Sequence, residues 1–371
     1  MKVLIIDNFG SHLDAMGGTE LYSKMLVDFF YDRKDEIDEI HFDGSIDLKT
    51  DDKKTNLFLF RPSNSKSMYQ RNKKFQKLFQ EHMKNHKYDL IINNPLFFSS
   101  KMVFHNTPVI QIQHVFPLFY NFASTIGFGL SGLRSKQIKY MVGYTKYDIK
   151  SLSLFNRKKY FSVPLPYFDI NHNIISFSSK PNNIGIFGRL SDKVKNIKFA
   201  CKISKYVDSN FLLYGSIDEE TLNYIKKFPN VKYMGKYVRS DLKEIYKQVR
   251  FLLLPSKFEG FGYVCTEALA NATPIIIRNS FPASKYLVDQ GRNGLLFSKF
   301  LSAKQIGKKI NTFKEKNKHE KKYFQLQKQC FNFYKQNLTI QQFNSNWKKI
   351  IDSIFNQNTN DNENIINNKN Q

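Results

Sequence analysis

Cysteine, tryptophan and long apolar runs are scarce in this chain of 371 residues. The three cysteines, Cys201, Cys265 and Cys330, are odd in number and far apart, which argues against a disulfide framework and a cysteine-based zinc site. No stretch approaches the roughly 18 uncharged apolar residues that a membrane-spanning helix needs. Because 41% of the residues are apolar and 15% are aromatic, disordered and collagen-like chains are also excluded. We expect a cytoplasmic protein with folded domains.

Acidic residues are scarce in one region of the chain. The whole sequence carries 57 basic and 32 acidic side chains, a net charge of +25. Residues 61–165 contain 17 basic side chains but only three acidic ones, Glu81, Asp89 and Asp148. A general bias toward Lys and Asn explains part of the charge but not this loss of acids. A basic region of this size is typical of proteins that bind an anionic membrane surface, an anionic substrate or nucleic acid. No nucleic-acid recognition motif is present, so we expect no nucleic-acid partner.

Apolar runs alternate with helical patterns in both halves of the chain. The run at 2–8 precedes a glycine pair and a stretch in which apolar residues recur every three or four positions, which predicts a strand, a turn and a helix. A second series follows the proline-containing segment 164–172, with strand-like runs at 183–188, 211–215, 231–235, 250–255 and 274–278. Apolar strands that alternate with helices indicate parallel sheets covered on both faces. We predict an α/β protein of two Rossmann-like, doubly wound parallel-sheet domains that face each other across a ligand-binding cleft.

The most informative motif is the stretch 254–274, LPSKFEGFGYVCTEALANATP. It predicts a strand, a glycine-bearing loop, a short helix and the start of the next strand. Gly260 and Gly262 allow the backbone to approach a ligand closely, and the first N–H groups of the helix suit a diphosphate. Glu259 and Glu267 can accept hydrogen bonds from sugar hydroxyls. The structural alternative is that Glu259 caps the helix and Glu267 lies on its solvated face.

This stretch resembles the motif of the retaining family 4 glycosyltransferases of the GT-B fold, a type that acts in bacterial cell-envelope synthesis. The resemblance is most specific at the two glutamates and the glycines that follow the first of them. It implies that Glu259 contacts the hydroxyls of the transferred sugar and that Glu267 holds the ribose of the nucleotide. It also implies that the backbone at Gly260, Phe261 and Gly262 lines the donor sugar and phosphates.

A second motif, FGRLSDKVKN at 187–196, places Arg189 and Lys195 after a predicted strand that ends at Gly188. Two cations at this point can neutralise a leaving diphosphate. The family that the chain resembles carries a Gly-Arg pair and a downstream Lys, usually one residue closer together than here. Lys193 is therefore the competing candidate for the lysine role, and a solvated basic loop is the structural alternative.

Two elements of the N-terminal half also match the family. Gly17 and Gly18, in MGGTE, open the first predicted helix and are expected to bring its N-terminus to the donor phosphates. His114 ends the strand-like run 108–114, and the resemblance implies that it lies close to the donor sugar. The structural alternatives are a tight turn between strand and helix for the glycines and a hydrogen-bonded structural role for the histidine.

The resemblance also predicts the course of the chain. In GT-B enzymes the last helix commonly returns to the N-terminal domain, and the apolar face around Trp347 in residues 345–355 suits that return. We therefore expect an N-terminal acceptor-binding domain and a C-terminal nucleotide-sugar-binding domain, followed by the returning helix and a disordered, Asn-rich tail. The predicted bounds of these four parts are 1–168, 169–338, 339–355 and 356–371.

These features together predict a metal-independent, retaining hexosyltransferase. No Asp-x-Asp pair occurs, so we expect no metal and no other cofactor. The expected donor is a nucleotide-sugar, most commonly a UDP-sugar in this family, and the expected acceptor is a hydroxyl of an envelope glycolipid, polysaccharide or glycoprotein. The basic region adds an anionic polymer as acceptor, or contact with the inner face of an anionic membrane, to these expectations. The alternatives are a non-catalytic partner subunit of the same fold and a nucleotide-sugar epimerase.

Overall fold

The computed structural model describes residues 1–7, 18–41, 54–60, 68–94, 104, 106–114, 137–153, 158–167, 179–190 and 192–367. The chain divides into two compact units. The first comprises Met1–Val163 together with Phe343–Gln371, and the second comprises Pro164–Gln342. The change from one unit to the other falls in the proline-containing segment, a few residues before the predicted boundary at 168/169.

The first unit contains a parallel sheet of seven strands in the order β3-β2-β1-β4-β5-β6-β7. All four residues of its fourth and fifth strands are buried, as expected for parallel strands covered on both faces. The strands are β1 (Lys2–Asp7), β2 (Glu36–His41), β3 (Asn56–Leu59), β4 (Leu90–Asn93), β5 (Val109–Ile112), β6 (Tyr140–Gly143) and β7 (Lys159–Ser162). The described helices before the second unit are α1 (Gly18–Asp32), α2 (Met68–Asn85) and α3 (Lys146–Ser153).

The second unit contains a parallel sheet of six strands in the order β10-β9-β8-β11-β12-β13. The strands are β8 (Asn183–Phe187), β9 (Asn210–Tyr214), β10 (Val231–Gly235), β11 (Phe251–Leu254), β12 (Ile275–Asn279) and β13 (Gly294–Ser298). Its helices are α4 (Asp192–Lys195), α5 (Ile197–Ser204), α6 (Glu219–Ile225), α7 (Leu242–Lys247), α8 (Tyr263–Ala270), α9 (Ala283–Leu287), α10 (Ala303–Lys316) and α11 (Glu320–Asn337). Short 3₁₀ helices span Arg239–Asp241 and Asp289–Gly291. The predicted doubly wound, parallel-sheet architecture of both domains is thereby confirmed.

The strand order of each sheet reverses at one point. In the first sheet, β1 pairs with β2 on one side and with β4 on the other. In the second sheet, β8 pairs with β9 on one side and with β11 on the other. Open α/β sheets bind ligands beyond the carboxyl ends of the strands at such a reversal. The ends of β1 and β4, and those of β8 and β11, are therefore the places to look for a site.

The last helix, α12 (Ile340–Asn367), packs on the first unit through its apolar face. The ring of Tyr22 in α1 lies edge-on to Phe343 and Trp347, with ring centroids 5.3 and 6.4 Å apart. Phe343 and Trp347 are buried, as are Ile350, Ile351 and Ile354 further along the helix. The predicted return of the C-terminal helix to the N-terminal domain is confirmed.

The predicted end of this helix is wrong. The sequence suggests a helix that ends at Phe355 and a disordered tail from residue 356, but α12 continues to Asn367. Asn costs at most about 0.7 kcal/mol per residue relative to Ala in a helix. Extending an existing helix also adds one backbone hydrogen bond for each residue that is fixed. The packed segment before residue 355 therefore supplies a nucleus from which the polar segment continues.

Candidate functional site

Two glycines let the chain turn sharply at the end of β8. Gly188 has a φ of +114° and donates its N–H to the carbonyl of Tyr214 at 3.0 Å. Gly215 follows β9 with a φ of +131°, and a Cβ there would lie only 1.9 Å from the carbonyl oxygen of Gly188. Gly188 therefore favours glycine for its backbone conformation, and Gly215 requires it for both its conformation and the close contact between the two loops. The segment that carries Arg189 and Lys195 follows this turn at the carboxyl end of β8.

Lys195 and Glu259 form the centre of the site. The Lys195 Nζ donates to Glu259 Oε1 at 2.6 Å, and both side chains are 14% exposed. The hydroxyl of Ser256 donates to the same oxygen at 2.7 Å. The two loops are tied together on either side of this pair, by the Lys257 N–H to the Val194 carbonyl and the Asn196 amide to the Pro255 carbonyl. The two predicted motifs thus meet at the reversal of the second sheet.

The neighbouring cations differ in their surroundings. Lys193, the competing candidate for the lysine role, is exposed, whereas Lys195 is the lysine that reaches Glu259. Arg189 lies just after Gly188, is exposed, and makes no hydrogen bond or ion pair with any residue that the structure describes. A free guanidinium and a paired ammonium therefore occupy the same end of β8, where a diphosphate would need positive charge.

Helix α8 begins at the end of the glycine loop. Its N-cap is Gly262, which has a φ of +87°, and a Cβ there would come within 3.1 Å of the Leu254 side chain. Phe261 is buried and Gly260 is half-buried. Because Gly262 is the N-cap, the alternative interpretation of Glu259 as the cap is wrong. The first N–H groups of this helix lack intrahelical acceptors, which suits an anionic ligand.

Glu267 is the most unusual side chain of the site. It lies on α8 with an exposed fraction of 5%, and its Oε2 is buried without a hydrogen-bond partner among the described residues. Burial raises the pKa of Glu267 to about 7, although the nearby charges of Arg239 and Lys195 act to lower it. The alternative that Glu267 lies on a solvated face is therefore wrong. A buried carboxylate with an unused oxygen is suited to accept hydrogen bonds from a ligand.

Three residues near Glu267 have no counterpart in the motifs. Arg239 lies in the 3₁₀ helix after β10, with its guanidinium carbon 6.0 Å from the ring centroid of Tyr263. Tyr237 and Tyr246 come from the same connection between β10 and β11, and burial raises the pKa of both. Their only sequence signal is that they follow a predicted strand of the same sheet, whose carboxyl end meets the same edge.

A second polar cluster lies at the reversal of the first sheet. His114 is buried, and its Nε2–H donates to the side-chain oxygen of Asn94 at 2.6 Å while the Tyr144 hydroxyl donates to its Nδ1 at 2.5 Å. The Asn94 amide donates in turn to Asp7 and Ser23. Because burial lowers the pKa of His114 to about 4, the imidazole is neutral near pH 7. Both ring nitrogens are thus engaged within the unit, as in the structural alternative.

The predicted glycine pair is only partly covered by the structure. Gly18 is the first residue of α1, while Gly17 lies outside the described residues.

Among the residues that the structure does describe, no group of three or more His, Cys, Asp or Glu side chains could hold a metal ion.

Two doubly wound units with these reversals define the GT-B fold, and comparison with known proteins agrees. Residues 168–329 match the family of glycosyl transferases group 1. The structure is similar to sucrose-phosphate synthase from Thermosynechococcus elongatus, with a TM-score of 0.76 and 13% identity over 96% of this chain and 99% of the other. It is also similar to Anabaena HepE in complex with UDP-glucose, with a TM-score of 0.69 and 18% identity over 95% and 100%. The chain therefore has the GT-B fold, and part of its second unit matches the family of glycosyl transferases group 1.

A curated relative matches part of the sequence. An uncharacterized glycosyltransferase of Methanocaldococcus jannaschii is 26% identical over 137 residues, which are 36% of this chain. The match spans 38% of that protein, little more than a third of its length.

Proposed function

We propose that this protein is a glycosyltransferase that moves a hexose from a UDP-sugar to a hydroxyl acceptor with retention of configuration. The observation that carries the proposal is the pairing of Lys195 with Glu259 beside the buried, unpartnered oxygen of Glu267. These groups lie at the sheet reversal of a glycosyl transferases group 1 domain, where a nucleotide is expected to bind. The likeness in fold to a protein crystallised with UDP-glucose supports UDP as the nucleotide.

In the proposed reaction the donor binds with its diphosphate near Arg189 and Lys195, whose charges stabilise the leaving group. The phosphate oxygen that loses the sugar takes the proton of the acceptor hydroxyl, while the new glycosidic bond forms on the same face of the sugar. Glu259 accepts hydrogen bonds from the sugar hydroxyls, since its pairing with Lys195 and Ser256 makes it a poor covalent nucleophile. Glu267 accepts hydrogen bonds from the ribose. Cationic side chains thereby replace a metal ion.

The proposed acceptor is a hydroxyl of a cell-envelope glycan or glycolipid at an anionic membrane surface or on an anionic polymer. Helix α2 supports an electrostatic contact, because Lys73, Lys74, Lys77 and Lys84 are exposed on it. Its aromatic side chains do not support insertion, because Phe75 and Phe79 are buried in the core of the first unit. None of the described helices has the length and apolarity to cross a membrane.

We expect the protein to sediment with anionic vesicles and salt to abolish this binding. Equal binding to neutral vesicles would contradict the electrostatic contact.

A panel of nucleotide sugars tests the donor and the reaction. UDP-glucose, UDP-galactose and UDP-N-acetylglucosamine are compared with ADP- and GDP-sugars by thermal unfolding. A donor at a hundred times its Kd should stabilise the fold by about 2.7 kcal/mol. Arg189→Ala should lose most of this stabilisation. Arg292→Ala should keep it, because Arg292 is an exposed arginine just before β13, at the amino-terminal end of the strands. Failure of every nucleotide sugar to stabilise the protein would refute the proposal.

Product analysis of the same reactions separates the alternatives. A transferase forms more product when acceptor is present, whereas an epimerase releases sugar equally with and without it. A non-catalytic subunit binds the donor and turns over neither substrate.

A further inference from the structure

Burial disfavours the ionised form of Glu267, and few neighbouring groups stabilise that form. Its carboxyl is almost completely enclosed, and its Oε2 receives no hydrogen bond from a described residue. Burial without compensation favours the neutral acid. Protonation turns one of the two acceptor oxygens of a carboxylate into a hydroxyl donor. A nearby cation that keeps Glu267 ionised therefore keeps both of its oxygens as acceptors.

Two cations lie near enough to this carboxyl to act to lower its pKa, the exposed Arg239 and the half-buried Lys195. Lys195 is already committed to Glu259, at 2.6 Å. Arg239 has no hydrogen bond or ion pair with any residue in the described part of the chain, and it approaches from a different element. Its positive charge is therefore the one that remains available to Glu267.

The position of Arg239 follows from its contact with α8. Its guanidinium lies over the ring of Tyr263, the first residue of that helix. Tyr263 and Glu267 are four residues apart, and residues with this spacing share one face of a helix. Arg239 thus lies over the first residue of the helix face that carries Glu267.

Three further titratable groups near Glu267 supply no charge near neutral pH. Burial raises the pKa of Tyr237, Tyr246 and Cys265, so all three are neutral there. Tyr246 donates its hydroxyl to the Val264 carbonyl and not to the carboxylate. Arg239 is thus the group whose removal should change the ionisation of Glu267 without breaking a hydrogen bond or ion pair between described residues of the site.

We propose that Arg239 is a positioning residue of the donor site, which holds Glu267 in the ionised form that accepts hydrogen bonds from the ribose of the nucleotide. This role rests on the proposed function. It adds a residue that belongs to neither motif and makes donor affinity depend on pH.

The test is the affinity for UDP-glucose, whose diphosphate does not titrate between pH 6 and 8.5, measured by calorimetry across that range. The wild-type affinity should fall as pH drops through about 7. In Arg239→Gln this fall should move up by about one pH unit, so the affinity should be about fivefold lower at pH 7 but within about twofold of the wild type at pH 8.5. Arg239→Lys should restore the wild-type profile.

Lys243→Gln is the matched control, because Lys243 is an exposed cation four residues further along and its loss changes the net charge equally. Its profile should equal that of the wild type. A uniform loss of affinity at every pH in Arg239→Gln, or an unchanged profile, would overturn the role of Arg239 while leaving the proposed function intact. A wild-type protein that binds no UDP-glucose at any pH would overturn both.

Discussion

At the scale of the residue, the buried carboxyl of Glu267 lowers the stability of the folded protein at neutral pH. The folded protein holds the carboxyl at a pKa of about 7, compared with about 4.5 for an exposed glutamate. The folded state therefore binds more protons than the unfolded state between these two values. Stability falls as pH rises from about 4.5 to about 7, and the full cost is present above that window. Such a cost is typical of a group retained for binding rather than for folding.

Glu267→Gln should therefore stabilise the protein at alkaline pH. The gain over the wild type should be small at pH 5 and rise to about 3 kcal/mol at pH 8, because glutamine carries no charge to be buried. Urea unfolding of both proteins at the two pH values measures the difference, and other titrating groups cancel in the comparison. A gain that is the same at pH 5 and pH 8 would show that Glu267 keeps an ordinary pKa in the folded state.

Several site residues could be predicted from the sequence, and others could not. The motifs place Arg189, Lys195, Glu259 and Glu267 at strand ends, and the structure brings the last three together. Which of Lys193 and Lys195 pairs with Glu259 depends on the actual course of α4, since one residue more or less changes which lysine faces that glutamate. Arg239 could not be predicted, because its place over Tyr263 depends on how the connection after β10 folds back.

At the scale of the elements, the glycines that end β9 and β10 offer a matched pair. Both have a positive φ, but only Gly215 is also packed against backbone, with its hypothetical Cβ 1.9 Å from the Gly188 carbonyl oxygen. Gly235, with a φ of +93°, has no atom within 4 Å of that position.

Gly215→Ala should destabilise the protein by about 3 kcal/mol or more, since the two loops must separate. Gly235→Ala should cost about 1 kcal/mol, for the backbone conformation alone. Urea unfolding of the two variants measures the difference. Equal losses would mean that the loops of β8 and β9 are not in the close contact described here.

The buried face of a helix and the end of a helix are both difficult to predict from sequence, for physical reasons. The spacing of Phe75 and Phe79 predicts an amphipathic helix correctly, but the same spacing fits a membrane face and a core face. Burial in the first unit decides in favour of the core. Likewise, the Asn-rich composition after residue 355 does not reveal a helix that starts in a packed segment and continues through polar residues.

At the scale of the whole molecule, α12 joins the last residues of the chain to the first unit. Every side chain described as buried on this helix lies at or before Ile354, and Trp347 is fully buried.

Deleting residues 357–371 should leave the melting temperature nearly unchanged, whereas deleting 343–371 should destabilise the first unit strongly. Trp347→Ala in the full chain should cost about 3–5 kcal/mol. Equal melting temperatures for the two truncated chains would contradict the packing of α12.

The central claim concerns a sugar-transfer site around Glu259, and donor turnover tests it most directly. Release of UDP from the best UDP-sugar is compared between the wild type, Glu259→Gln and Glu244→Gln. The last of these alters an exposed glutamate on α7 that pairs with Lys247. Losing one transition-state contact typically costs about 3–4 kcal/mol. We predict a fall of at least about a hundredfold in Glu259→Gln and wild-type turnover in Glu244→Gln, with thermal unfolding showing that both variants are folded. Near-normal turnover by folded Glu259→Gln would contradict it.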